Sequence, residues 1–376
     1  MYYKEYVPLW SKSNINLLYH LITRLTMPSK PSSSHQTHTL FVIDHFHPYI
    51  GWGEVLFWSL TKSLIGQWER VTVLTSRFES NLKDRENIDG VEVIRVGGGR
   101  WSFLVQSLIT GRTICRTNKI DYIHTSSCFG MRSTLFLSAY FHITSRITIH
   151  EVYGLLWIKL FGWRRWLWRL LGEKISLSLC HFDEYQCVSL YTLNSLRLMS
   201  LIPDAKLKLA KNKIDKTFRD RRHCSLQDQE YLKKKYDIIW KKIWLFFGRL
   251  GYIKWLDRIL KSLPEIIDKN PEFRLVIIAP QDSSLYNLLP PRYRSFVVRL
   301  NLVTQEELRN WIWLSDVCIL PSKAEWFGYA IAEAASMGAS IVTTRIGAIP
   351  EVLEGYEKVR YIDGSWKLPV DWFEEM

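Results

Sequence analysis

"CILPSKAEWFGYAIAEAASMGASIVTT", Cys318–Thr344, decides the fold. "CILPS" reads as a short strand, "KAEWFG" as a turn and "YAIAEAASMG" as a helix closing near Gly338, after which "SIVTT" (340–344) is a second apolar strand. The helix therefore begins at the carboxyl end of a strand, where free N–H groups and the helix dipole favour an anion. Glu325 lies in the turn, and Glu333 about one and a half turns into the helix. Two readings fit this spacing. In one, Ser322 and Glu325 form a capping box and Glu333 faces solvent. In the other, a phosphate-linked ligand lies across the helix start and its hydroxyl pairs meet a carboxylate at each end, since carboxylates only accept hydrogen bonds.

Outward from this segment the chain alternates short apolar strands with helices. "TLFVID" (39–44), "RVTVLTS" (70–76), "VEVIRV" (91–96), "DYIHTS" (121–126) and "SRITIHE" (145–151) form one series. "IWLFFG" (243–248), "FRLVIIA" (273–279), "SFVVRL" (295–300) and "DVCILPS" (316–322) form another, with helices over 255–268 and 304–314. Buried strands joined by helical crossovers imply parallel sheets of the α/β class. The expected organisation is an N-terminal extension and linker (1–38), a first Rossmann-like domain (39–206), a polar basic linker (207–223) and a second Rossmann-like domain (224–376). Ligands of such sheets bind at the carboxyl ends of strands, so two facing domains would form a cleft. Met27, just before the Pro/Ser-rich stretch 28–38, is a candidate alternative start.

Composition bounds the function. Residues 1–215 carry 26 Lys+Arg against 16 Asp+Glu, while the remainder carries 24 against 21. Most of the net charge of +13 thus sits in the first half, which suits an anionic partner such as nucleic acid, an acidic membrane or a phosphorylated substrate. The six cysteines include no C-x-x-C pair, which argues against a zinc site and a disulfide framework and fits a reducing compartment. No apolar run approaches the roughly 20 residues of a membrane span, and the N-terminus lacks the order of a signal peptide. A cytoplasmic protein, on a membrane surface or free of one, is expected.

Several motifs in order carry a family resemblance. "SKAEWFGYAIAEAASMGASIVTTRIGAIPE" resembles the E-x7-E signature of family 4 glycosyltransferases, "FFGRLGYIKWLDRIL" is similar to the segment opening that family's second domain, and "CVSLYTLNSL" with "KNKIDKTF" resembles its approach to the interdomain linker. "HFHPYIGWGEVLFWSLTKSL" is similar to its glycine-rich loop and first helix. The resemblance covers roughly residues 39–360 and implies a GT-B fold and a retaining, metal-independent glycosyltransferase. Such an enzyme moves a sugar from a nucleotide-sugar donor to a hydroxyl acceptor, without cofactor, metal or covalent enzyme nucleophile. In that pattern Arg249 and Lys254 hold the donor diphosphate, Glu325 meets sugar hydroxyls, the Phe327 and Gly328 backbone meets phosphate, and Glu333 takes the ribose. Gly51 and Gly53 allow close approach of the first-domain loop, and His150 faces the reacting sugar. His45, His47 and His124 lie near other strand ends and are weaker candidates.

The sequence departs from the family in places. Trp255 stands where the family has glycine after Lys254, Trp52 separates Gly51 from Gly53, "APQDSS" (279–284) lacks a glycine, and the chain stops soon after Glu351. "GLLWIKLFGWRRWLWRLLGEK" (154–174) reads either as an ordinary first-domain helix or as a basic, Trp-rich surface docking on an anionic membrane through Lys159, Trp163, Arg165, Trp166 and Arg169. Docking would suit a lipid-linked or surface-glycan acceptor. The competing functional class is a non-catalytic nucleic-acid or membrane-surface binder on the same fold, motivated by the basic first half.

Overall fold

The computed structural model describes residues 36–49, 52–126, 128–153, 156, 181–200, 202–212, 214, 216–219, 224–249, 252–279, 287–301 and 303–362. Gly51 and the docking candidates Lys159, Trp163, Arg165, Trp166 and Arg169 lie outside them. The chain divides into two compact units between Asn212 and Lys213.

The first unit holds an eight-stranded sheet in the order β3-β4-β2-β1-β5-β6-β7-β8. Its strands are β1 (His38–Val42), β2 (Arg70–Ser76), β3 (Arg85–Ile88), β4 (Val91–Val96), β5 (Tyr122–Thr125), β6 (Thr144–Ile149), β7 (Glu184–Cys187) and β8 (Leu207–Leu209). All pair in parallel except β3, which runs antiparallel to β4. Among its helices are α1 (Trp52–Gly66), α2 (Arg100–Thr117), α3 (Cys128–Phe141) and α4 (Leu190–Met199). β1 is buried along its whole length, as expected of a central strand covered on both faces.

Two features differ from the sequence expectation. β3 joins β4 through Asp89–Gly90, where φ is 49° and 89°, the left-handed pair that a tight hairpin requires. The expected linker 207–223 begins with a strand instead: Leu207–Leu209 pairs with β7 and belongs to the first sheet. The boundary is set by this pairing, and the polar composition of 207–223 disguised it.

The second unit holds a six-stranded, wholly parallel sheet in the order β11-β10-β9-β12-β13-β14. These strands are β9 (Lys242–Phe247), β10 (Phe273–Ile278), β11 (Val297–Leu300), β12 (Val317–Ile319), β13 (Ile341–Thr344) and β14 (Val359–Ile362). Its helices include α5 (Leu226–Lys235), α6 (Leu256–Lys269), α7 (Gln305–Leu314), α8 (Tyr329–Ser336) and α9 (Ile349–Val352). α6 buries Leu256, Ile259, Leu260, Leu263, Ile266 and Ile267, a helical stripe packed on one face of the sheet with Trp244 and Phe246 of β9. Leu245, Phe247 and Cys318 enter the core on the opposite face, beside Ile331 and Ala334 of α8.

In each sheet the first strand is central and the chain moves to one side before crossing to the other. The order therefore reverses at β1/β5 and at β9/β12, and the carboxyl ends of those strands are the topological switch points where such sheets place ligands.

Candidate active site

At the β9/β12 switch point, Gly248 and Arg249 leave β9, and Lys254 follows in a one-turn 3₁₀ segment, Tyr252–Lys254. Arg249 is exposed. From the other strand, the loop after β12 carries Ser322 and Glu325. A backbone hydrogen bond from Lys323 N–H to the Ile253 carbonyl, 2.7 Å, ties the two loops together.

That tie brings three side chains into one cluster. Lys254 Nζ pairs with Glu325 Oε2 and lies 3.2 Å from Ser322 Oγ, which in turn lies 3.2 Å from Glu325 Oε2. Ser322 is fully buried and held at both backbone groups by Thr344 Oγ1 of β13, which accepts from its N–H at 3.1 Å and donates to its carbonyl at 2.7 Å. The carboxylate is the more enclosed partner, 14% exposed against 27% for the lysine side chain. This is an ion pair with one open side.

The capping-box reading of Ser322 and Glu325 does not describe this arrangement. α8 starts later, after Gly328, and no side chain caps it. Gly328 sits at φ 87°, where a residue with a Cβ is strained, and a Cβ there would also come 3.1 Å from Glu325 Cγ. Gly347 meets a stricter demand: it holds φ 59°, and a Cβ would lie 2.0 Å from the Glu325 carbonyl oxygen. That carbonyl accepts from Ala348 N–H at 2.9 Å, so the loop after β13 fixes the Glu325 backbone.

Glu333 is 8% exposed, so it does not occupy a solvated face. Its carboxylate lies close enough to Tyr329 to add to the upward push that burial gives that phenol. Phe327 stands edge-on to Tyr329, with ring centroids 4.9 Å apart. Trp326, with no role in the motif, is core, 6% exposed. Trp255 takes the left-handed conformation, φ 42°, as the residue before α6, and the Arg258 guanidinium lies over its ring at 4.3 Å. The place where the resemblance called for glycine thus demands glycine-like backbone, and a buried, stacked indole holds it there.

The β1/β5 switch point of the first unit is built differently. Gly53 lies in the first turn of α1. His150 follows β6; its Nε2 is closed to solvent without a hydrogen-bond partner, and burial pulls the ring's pKa down to about 4. His124 is buried in β5, bonded through Nε2 to Thr148 Oγ1 at 2.8 Å and stacked on Phe41; burial, then the charge of Arg146, lowers it to about 3. Phe57 of α1 presents its ring to both histidines, at 5.6 and 5.9 Å. His47 stacks on Trp58 and His45 on Tyr49; burial and then Arg95 lower His47. His124 is therefore a core residue, and His150 is the neutral imidazole at a strand end.

Of Arg249, Lys254, Glu325 and Glu333, which sequence reasoning singled out, the structure brings Lys254 and Glu325 into contact; Arg249 lies on the loop after β9 and Glu333 inside α8. That reasoning missed Thr344 and Gly347, whose roles are contacts across the fold; the Gly after a buried strand was the available signal.

Comparison with known proteins matches residues 241–364 to a family described as Glycosyl transferases group 1. The chain is 24% identical over 348 residues to a subunit of human phosphatidylinositol N-acetylglucosaminyltransferase, covering 88% of this chain and 67% of that protein. Among solved structures it is similar to a sucrose-phosphate synthase from Thermosynechococcus elongatus, with a TM-score of 0.74 and 17% identity over 90% of this chain and 88% of the other. It is also similar to Anabaena HepE in complex with UDP and glucose, with a TM-score of 0.66 and 13% identity over 91% and 89%. The fold is that of GT-B glycosyltransferases, and the family match lies within the second unit. Among the described residues no helix is long and apolar enough to cross a membrane.

Proposed function

We propose that this glycosyltransferase is retaining and metal-independent, and that it transfers a sugar from a nucleoside-diphosphate donor to a hydroxyl of a lipid-linked acceptor. The observation that carries the reading is the Lys254–Ser322–Glu325 cluster at the β9/β12 switch point, with Arg249 on the neighbouring loop and Glu333 further along α8. Arg249 offers a planar fork and Lys254 a point charge to a diphosphate. The leaving diphosphate is stabilised by these two cations and by the start of α8, an electrostatic role that asks for no divalent ion. Binding then draws Lys254 toward phosphate and frees the Glu325 carboxylate for sugar hydroxyls, while Glu333 accepts from the ribose. In the family pattern His150 faces the reacting sugar, and a ring held neutral by burial suits that role because it adds no charge. The lipid-linked acceptor follows the name of the human relative, whose substrate is a phosphatidylinositol.

The test is transfer from a panel of nucleotide sugars to phosphatidylinositol-containing vesicles, with and without EDTA, with the product anomer read by NMR. The expected outcome is EDTA-insensitive transfer with retained configuration, and large losses in Arg249→Ala and Glu325→Ala. Full activity in both variants removes the site assignment. Loss of activity in EDTA removes metal independence, and an inverted anomer removes retention.

A further inference from the structure

α2 and α3 pack side by side and turn a second surface outward. They approach closely because their contact residues are small: Ser107 Oγ lies 2.6 Å from Ser133 Oγ, and a Cβ on Gly111 would come 2.5 Å from Leu137. Arg112 of α2 donates to the Tyr140 hydroxyl of α3 at 3.2 Å, with its guanidinium 5.2 Å from that ring's centre. The two outward faces thus form one surface.

That surface is apolar and cationic together. Trp101, Val105 and Ile109 recur every four residues along α2, and Phe136 stacks with Tyr140 on α3; all five are at least half exposed, and Trp101 reaches 72%. Arg112, Arg116 and Arg132 are exposed around them, and neither helix contains an Asp or Glu over its length. An exposed apolar patch marks an interaction site. Three exposed arginines on two helices that carry no carboxylate favour an anionic partner, and Trp and Tyr on the same face suit the boundary between headgroups and acyl chains.

We propose that the outward face of α2 and α3 docks the protein on an anionic lipid membrane. This surface shares no residue with the 154–174 segment or with the residues assigned to transfer, and the proposal holds whatever the sugar acceptor proves to be. The aromatic and aliphatic side chains enter the interface while the arginines meet lipid phosphates.

The test is flotation of the full chain with vesicles of phosphatidylcholine alone or mixed with phosphatidylserine, with hydrogen exchange as the local probe. The protein is expected to float only with the anionic vesicles and to release as salt rises. Each arginine contributes about fivefold to partitioning, so Arg112→Glu with Arg116→Glu is expected to lower it at least ~25-fold. Trp101→Ser with Ile109→Ser is expected to weaken it as well, and vesicles are expected to protect the amides of 101–116 and 132–140. Unchanged thermal unfolding in these surface variants shows that the fold is intact, and unchanged transfer to a soluble acceptor separates docking from chemistry. Equal flotation with neutral vesicles, no flotation of the wild type, flotation of both variants like the wild type, or protection confined to other segments overturns the proposal.

Discussion

The two units repeat one topology and furnish its switch point with opposite chemistry. In the second unit the loops after β9 and β12 carry Arg249, Lys254 and Glu325, and α8 beyond them carries Glu333, all ionisable. In the first, His150 follows β6 and is backed by Phe57 of α1, with Phe41 of β1 and His124 of β5 packed in the core beside it, and the two imidazoles are kept neutral by burial. A parallel sheet decides where a ligand sits because its strand order reverses there. The residues at that place decide what it holds: charges suit a diphosphate, and neutral donors with aromatic faces suit sugar hydroxyls.

The charged side is the more sensitive to substitution if Lys254 and Glu325 act as a pair. Lys254→Ala and Glu325→Ala are each expected to lower kcat/KM by about 10²–10³-fold, the cost of losing a preorganised electrostatic contact. The double variant is expected to be little worse than either single, because residues acting as a unit are non-additive. Steady-state kinetics of the three variants checks this, and multiplicative losses would show two independent roles.

Gly347→Ala attacks the same pair from behind. A methyl group cannot coexist with the Glu325 carbonyl at 2.0 Å, so the turn must open. The expected cost is about 3 kcal/mol of stability from overpacking and left-handed strain, together with an activity loss like that of Glu325→Ala. Denaturant unfolding and kinetics measure the two parts. A stable, active Gly347→Ala would mean that Glu325 is not fixed by its backbone.

Trp255→Gly has opposing terms. Glycine relieves about 1 kcal/mol of left-handed strain, while loss of a buried indole costs about 3–5 kcal/mol. The indole wins, and a net destabilisation of about 3 kcal/mol is expected in thermal or denaturant unfolding. A stabilised variant would show that the Arg258–Trp255 stack contributes little.

These contrasts also show which parts were legible. β9 and β1 were readable because strands covered on both faces are unbroken apolar runs, as "IWLFF" is. β3 was not: "RENI" is an edge strand with no buried residue, and only the Asp89–Gly90 turn announced it. β8 has a single buried residue in "LKL". Arg249, Lys254, Glu325 and Glu333 stood out because the family resemblance covers them, and their positions after readable strand ends or in the helix after one agree with it; spacing alone left Glu325 and Glu333 open. The Ser322 clasp by Thr344 and the fit of Gly347 against Glu325 are separated by 22 residues each, and local pattern does not report contacts across a sheet. The left-handed Trp255 ran against propensity, since tertiary packing overrode the preference for glycine there.

The smallest expected effect per group tests the neutral side. His38, His124 and His150 have pKa values of about 4, 3 and 4 in the folded protein, against 6.5 ordinarily, in each case chiefly from burial. The folded first unit therefore refuses protons that the unfolded chain accepts below pH 6.5, so its stability is whole above that value and is lost as pH falls toward the folded pKa values. Between about pH 7.5 and about pH 5.5 each ring is expected to cost about 1 kcal/mol. The second unit's only histidine, His223, lies outside the described residues. Hydrogen exchange at the two pH values, corrected for intrinsic rates, is expected to show lost protection in β1, β5 and β6 and little change in β9, β10 and β12. Equal loss in both units would mean that buried carboxylates, and not the first unit's imidazoles, govern the acid response.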